Sequence, residues 1–156
     1  MERASYTGRM TLKLIAGLFV LTLGVSACSS SDSTTGPSAT SNLPFSTVDL
    51  RVGTGAEAKT GKAVTVNYTG WLYNSLGTDF KGTLFDSNVK PGGVPLGFTV
   101  GSNGIIPGFS QCVVGMKVGG LRRCTIPPAL GYGSQGSGPV PPNATMIFEV
   151  ELLTVQ

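Results

Sequence analysis

Between Val64 and Leu72 the apolar side chains of Val64, Val66, Tyr68 and Leu72 alternate with polar neighbours, the two-residue period of a strand with one buried face. Met146, Phe148, Val150 and Leu152 repeat that pattern near the carboxyl end, with Glu149 and Glu151 between them. Two such runs offer their apolar faces to a shared core. Weaker runs of the same kind predict strands near Ser46 to Val52, Leu84 to Ser87, Leu96 to Val100 and Leu121 to Ile126. One segment breaks the period: Phe109, Cys112, Val113 and Met116 follow Pro107 at the three-and-four spacing of a short helix, and proline suits the first turn because its missing N–H costs nothing there. With 23 Gly, 10 Pro and 12% charged residues, the chain suits a turn-rich sheet protein, not a helical bundle. The reading is an α+β fold, a sheet with one short helix across it, in a single domain over residues 43–156.

The amino-terminal part reads as an address. Basic residues up to Lys13 precede an apolar run from Leu14 to Val25 and then Val25-Ser-Ala-Cys28. That order gives residues 1–27 the layout of an export signal, with an apolar run short for a membrane span. The tetrad resembles a bacterial lipobox, which implies a diacylglyceryl group on the Cys28 thiol. Residues 28–42 are polar, with too little apolar surface to offset the entropy of ordering them, and read as a tether. Ser29, by resemblance to bacterial lipoproteins, implies the periplasmic side of the outer membrane in a two-membrane cell, and otherwise the cell surface.

Charge and composition exclude several functions. Beyond Cys28 there are 8 Lys and Arg against 7 Asp and Glu, so the mature chain lacks the basic footprint that nucleic acid requires. Arg122 and Arg123 are adjacent and read as solvated strand positions. The chain has no histidine, which removes His-dependent triads and the commonest metal ligand, and no cofactor is expected. Gly131-Tyr-Gly133-Ser-Gln-Gly136 matches a dinucleotide motif in letters, but Gly138-Pro139-Val140-Pro141-Pro142 follows it in place of a helix, so it reads as a glycine-rich flap. Asn67-Tyr-Thr69 and Asn143-Ala-Thr145 are sequons by accident of spacing. Cys112 and Cys124 both point inward by phase, and an exported chain meets an oxidising compartment. A disulfide between them is expected, with two buried free thiols as the alternative. Asp86 is an acid in an apolar setting without a partner acid or an activated nucleophile nearby in sequence. It reads either as a structural acceptor or as a site residue that transfers no proton.

Tyr68-Thr-Gly70, Phe85-Asp86-Ser87, Gly104-Ile-Ile-Pro-Gly-Phe109, Gly115-Met-Lys-Val-Gly119, Ile126-Pro-Pro128, Tyr132-Gly133 and Pro141-Pro-Asn-Ala-Thr-Met-Ile-Phe-Glu-Val-Glu-Leu152 occur in this order. Over residues 43–156 the chain resembles the FKBP family of peptidyl-prolyl isomerases. The resemblance implies a twisted, mostly antiparallel sheet wrapped around a short helix, with a pocket between them. It implies a catalytic set of Tyr68, Asp86, Ile106, Tyr132 and Phe148, and substrate contacts at Phe85, Leu96, Phe98, Ile105, Phe109 and Val140. Phe109 is the expected floor, and Tyr68, Phe85 and Phe148 the walls. The Ile106 N–H and the Tyr132 hydroxyl are expected donors to the peptide, with Asp86 orienting the Tyr68 hydroxyl. Isomerisation needs no imidazole, since an apolar pocket favours the twisted amide by removing water.

The implied partners are proline-containing polypeptides and macrolides such as tacrolimus and rapamycin, with the protein a monomer. Three departures from familiar relatives bear on ligand preference more than on activity. Leu96 stands where an aromatic is usual, Tyr73 to Thr83 is longer than the common hairpin, and Gly136 to Val140 lacks the His-Pro of many flaps. The competing functions are a non-catalytic module that holds proline segments, and a structural surface lipoprotein.

Overall fold

The computed structural model describes residues 43–156. The expected export signal, the expected lipidation at Cys28 and the expected tether lie outside the described residues. Six strands, β1 (Ser46–Arg51), β2 (Ala63–Tyr73), β3 (Lys81–Ser87), β4 (Leu96–Thr99), β5 (Leu121–Ile126) and β6 (Met146–Val155), and one helix, α1 (Pro107–Val113), make up the fold. The sheet runs β1-β5-β6-β2-β3, with β4 paired to the start of β2 (Ala63 to Val66) on the edge that β3 takes from Thr69 to Tyr73, and every pairing is antiparallel. This is the expected α+β architecture.

Alternation explains the inner face. Met146, Phe148, Val150 and Leu152 of β6 are buried, as are Val64 and Val66 of β2 and Cys124 and Ile126 of β5. The helix lies across these residues with Phe109, Cys112 and Val113 turned inward. Gly108 brings α1 close to β5: a β-carbon there would stand 2.4 Å from Ile126 Cγ2. Cys112 and Cys124 are joined by a disulfide, with their Cα atoms 5.9 Å apart.

The structure departs from the sequence reading in three places. The helix ends at Val113 instead of continuing to Met116, because the Gly115 N–H donates to the Ala58 carbonyl at 2.9 Å and Gly115 turns with φ of 76°; Met116 is buried all the same. The arginine pair is not solvated. Arg122 bridges Asp49 at 2.6 Å and donates to the Cys112 and Val114 carbonyls at the end of α1, where a cation completes a helix terminus. Arg123 bridges Glu149 and Asp79. Finally, β3 starts at Lys81, three residues early. The long hairpin loop turns through a short 3-10 segment, Thr78–Phe80, and Tyr73 stacks on Phe80 at 5.7 Å. Lys81 lies over the Trp71 ring and pairs with Glu149. This charged layer borders Ile147, the strand partner of Trp71, which is buried on the outer face.

Candidate active site

A bulge in the β2–β3 pair builds one wall of the site. Gly70 faces Asp86 and Trp71 faces Leu84, so Phe85 is the extra residue. A bulge of this kind re-aims side chains, and here two consecutive ones turn to the inner face. The Phe85 ring meets Phe148 edge-on at 5.5 Å, and Asp86 reaches Tyr68. Gly70 makes room for this, since both the Phe85 and Phe148 rings press against the place of its missing side chain.

Beneath these lies Phe109, 3% exposed. Its ring meets Tyr68 at 5.6 Å, Phe148 at 5.2 Å and Phe98 at 5.7 Å, all in edge-to-face arrangements. Aromatic pairs favour this geometry, which locks each ring against its neighbours. The result is a cavity of about 190 Å³ lined by Tyr68, Asp86, Leu96, Gly104, Ile105, Ile106, Phe109, Tyr132 and Phe148. It lies between the helix and the sheet.

The polar rim is sparse. The Tyr68 hydroxyl donates to Asp86 Oδ2 at 2.6 Å. Burial, then the Asp86 hydrogen bond and its negative charge, push Tyr68 up to about 12. Burial and the Asp86 charge also raise Tyr132 above the ordinary tyrosine value. Both phenols therefore stay protonated at neutral pH and remain donors. Ile106 is the residue before α1, and its carbonyl accepts the first helical N–H bonds from Phe109 and Ser110. Its own N–H meets no backbone acceptor among the described residues. A cavity with an apolar floor, two protonated hydroxyls and a free N–H is equipped to bind, desolvate and orient a neutral amide. Among the described residues no cluster of three His, Cys, Asp or Glu has metal-site geometry.

The expected catalytic set of Tyr68, Asp86, Ile106, Tyr132 and Phe148 thus lines one cavity, together with Leu96, Ile105 and Phe109 from the expected substrate contacts. Phe85 and Phe98 stand behind it, holding Phe148 and Phe109. Val140 lies in the buried core, where it exchanges both backbone hydrogen bonds with Ser137 in a tight turn. Two glycines were missed as site residues. Gly104 lines the cavity and Gly70 admits its rings. Both stand in the ordered motifs, but a glycine carries no side-chain signal of its own.

Residues 55–153 match the description of the family "FKBP-type peptidyl-prolyl cis-trans isomerase". The chain is 50% identical over 108 residues to an "FK506-binding protein" of Neisseria meningitidis serogroup A, covering 69% of this chain and 92% of that one. Among solved structures it resembles FkpA from Escherichia coli, with a TM-score of 0.61 and 37% identity over 75% of this chain and 50% of that one. It also resembles AtFKBP13, with a TM-score of 0.61 and 31% identity over 72% of this chain and 93% of that one.

Proposed function

The chain belongs to the family of FKBP-type peptidyl-prolyl cis-trans isomerases, and from that premise we propose that its cavity accelerates rotation of Xaa-Pro bonds in exported polypeptides. The observation that carries the reading is the convergence of Tyr68, Asp86, Ile106, Tyr132 and Phe148 on one apolar cavity floored by Phe109. The prolyl ring seats on Phe109, between the Tyr68 and Phe148 walls.

The barrier to be lowered comes from amide resonance, roughly 18–20 kcal/mol. Water raises it by solvating the polar planar amide better than the twisted one. Seating the amide among aromatic rings removes that solvation, so the cavity binds the twisted form more tightly than the planar ground state. The Ile106 N–H and the Tyr132 hydroxyl hold the peptide's carbonyl oxygens, and Asp86 fixes the Tyr68 wall. No bond is made or broken, so no acid, base or nucleophile is required. Each contact supplies a few kcal/mol at most, and every ~1.4 kcal/mol is a tenfold change in rate.

The same cavity is the proposed site for macrolides of the tacrolimus and rapamycin kind, the class to which the names of the FK506-binding relatives point. The protein is proposed to be a monomer anchored by a lipid on Cys28, exported to the periplasmic side of the outer membrane or to the cell surface. Mass spectrometry of the mature amino terminus tests the anchor: a diacylglyceryl group on Cys28 supports it, and an unmodified or uncleaved terminus refutes it. A protease-coupled assay on an Ala-Pro tetrapeptide with residues 43–156 tests the activity. Acceleration above the spontaneous rate is expected. Binding without acceleration would make the domain a holding module.

A further inference from the structure

We propose that the chain flanking the isomerised bond lies extended along the open edge of β3, where Leu84 and Val89 select an apolar substrate residue. The inference rests on the isomerase reading above and names a specificity surface for it. Among the described residues β3 ends the sheet, so its backbone is paired there on the β2 side alone. Such an edge offers free N–H and C=O groups to an added extended chain.

Beside this edge runs a groove of about 400 Å³, bordered by Leu84, Phe85, Asp86, Val89 and Lys90. Asp86 lines both this groove and the aromatic cavity. A polypeptide whose prolyl ring sits over Phe109 therefore passes directly into the groove when it leaves past Asp86. The bulge creates that continuity. At the bulge Phe85 turns against Phe148 and Asp86 reaches the cavity rim at Tyr68, whereas Leu84 pairs opposite Trp71, and all three border the groove.

Leu84 and Val89 are 55% and 62% exposed, so the core does not account for their apolar character. Burying them against a substrate side chain gains about fourfold in affinity per methylene covered. Lys90, also exposed, forms no ion pair among the described residues. Its charge favours an acidic residue beyond the apolar one.

The test compares three peptides in a protease-coupled assay: an Ala-Pro tetrapeptide, and the same core lengthened by Leu and Glu either before or after it. The wild-type protein is expected to turn over one of the two lengthened peptides with kcat/KM about tenfold higher than the tetrapeptide, carried by KM. The double variant L84S/V89S is expected to lose that gain and keep its tetrapeptide turnover. Should that variant not fold, Lys90→Glu is expected to weaken the favoured peptide about threefold and leave the tetrapeptide unchanged. No gain in the wild-type protein, or a gain that survives the substitutions, overturns the inference. Failure to turn over any of the three overturns the isomerase reading together with it.

Discussion

The Tyr68 hydroxyl donates a 2.6 Å hydrogen bond to Asp86 Oδ2 across the bulged β2–β3 pair. This bond fixes the tilt of a ring that walls the cavity, and it holds a carboxylate at the rim without offering it to the substrate as a base. Removing the acceptor in Asp86→Val is expected to cut isomerisation about tenfold, the worth of one hydrogen bond to a charged group, while leaving the fold intact. Unchanged turnover would take Asp86 out of the site.

The same bond has a pH signature. The folded protein holds the Tyr68 proton up to about 12, whereas an unfolded tyrosine titrates near 10.0. The folded state is therefore the one that binds more protons between those values, and its stability from this source is complete below pH 10 and lost as pH rises toward 12. Subtracting the absorbance titration of Tyr68→Phe from that of the wild type is expected to isolate this late ionisation. In Asp86→Val it moves down but stays above the ordinary value, because burial is the largest cause of the shift.

Gly70 is required by what presses on it. A β-carbon there would stand 2.7 Å from Phe85 Cζ and 2.8 Å from Phe148 Cε1. Gly70→Ala must displace two rings that hold each other at 5.5 Å. Overpacking of this kind costs about 1–3 kcal/mol. Urea denaturation is expected to show a loss in that range, accompanied by lower kcat/KM as Phe148 shifts into the cavity. Wild-type stability and turnover would mean that the rings give way freely.

Most of the sheet was legible because alternation survives in Val64 to Leu72 and Met146 to Leu152, where one face is buried. Pro107 and the spacing of Phe109, Cys112 and Val113 revealed the helix. Its end was not legible, since the Gly115 N–H is taken by Ala58, a residue on a distant segment. The arginine pair misled for a similar reason. The partners of Arg122 and Arg123 include Asp49, Asp79 and Glu149, all far off in sequence, so local charge density looked like solvent exposure. The bulge at Phe85 depends on register between two strands, which no local pattern encodes. The ordered motifs gave the site residues as a set; only the folded chain separates those that line the cavity from Phe85 and Phe98 behind it and Val140 in the core.

The Cys112–Cys124 disulfide ties α1, and with it Phe109, to the centre of the sheet. It closes a short loop, with a sequence separation of 12, for which chain entropy predicts a contribution of about 3 kcal/mol. Thiol alkylation of the denatured, unreduced domain over residues 43–156, read by mass, is expected to show no label, and labelling after reduction is expected at both cysteines. Thermal unfolding of the reduced protein is expected at a clearly lower temperature. Full labelling without reduction would show two free thiols.

Tyr132 separates catalytic contact from structural support. It is 37% exposed and lines the cavity, and its phenol is kept protonated by burial and by the Asp86 charge. No side-chain hydrogen bond engages its hydroxyl among the described residues, so the group is available to a peptide carbonyl. Tyr132→Phe removes one oxygen atom and no packing surface. Stability is therefore expected to stay within about 0.5 kcal/mol of the wild type. The kcat/KM for an Ala-Pro peptide is expected to fall about fivefold to tenfold, the loss of one neutral hydrogen bond. If the hydroxyl binds the twisted amide alone the loss appears in kcat, and if it holds the planar and twisted forms equally it appears in KM. Full activity in Tyr132→Phe would leave the cavity's work to its rings and the Ile106 N–H.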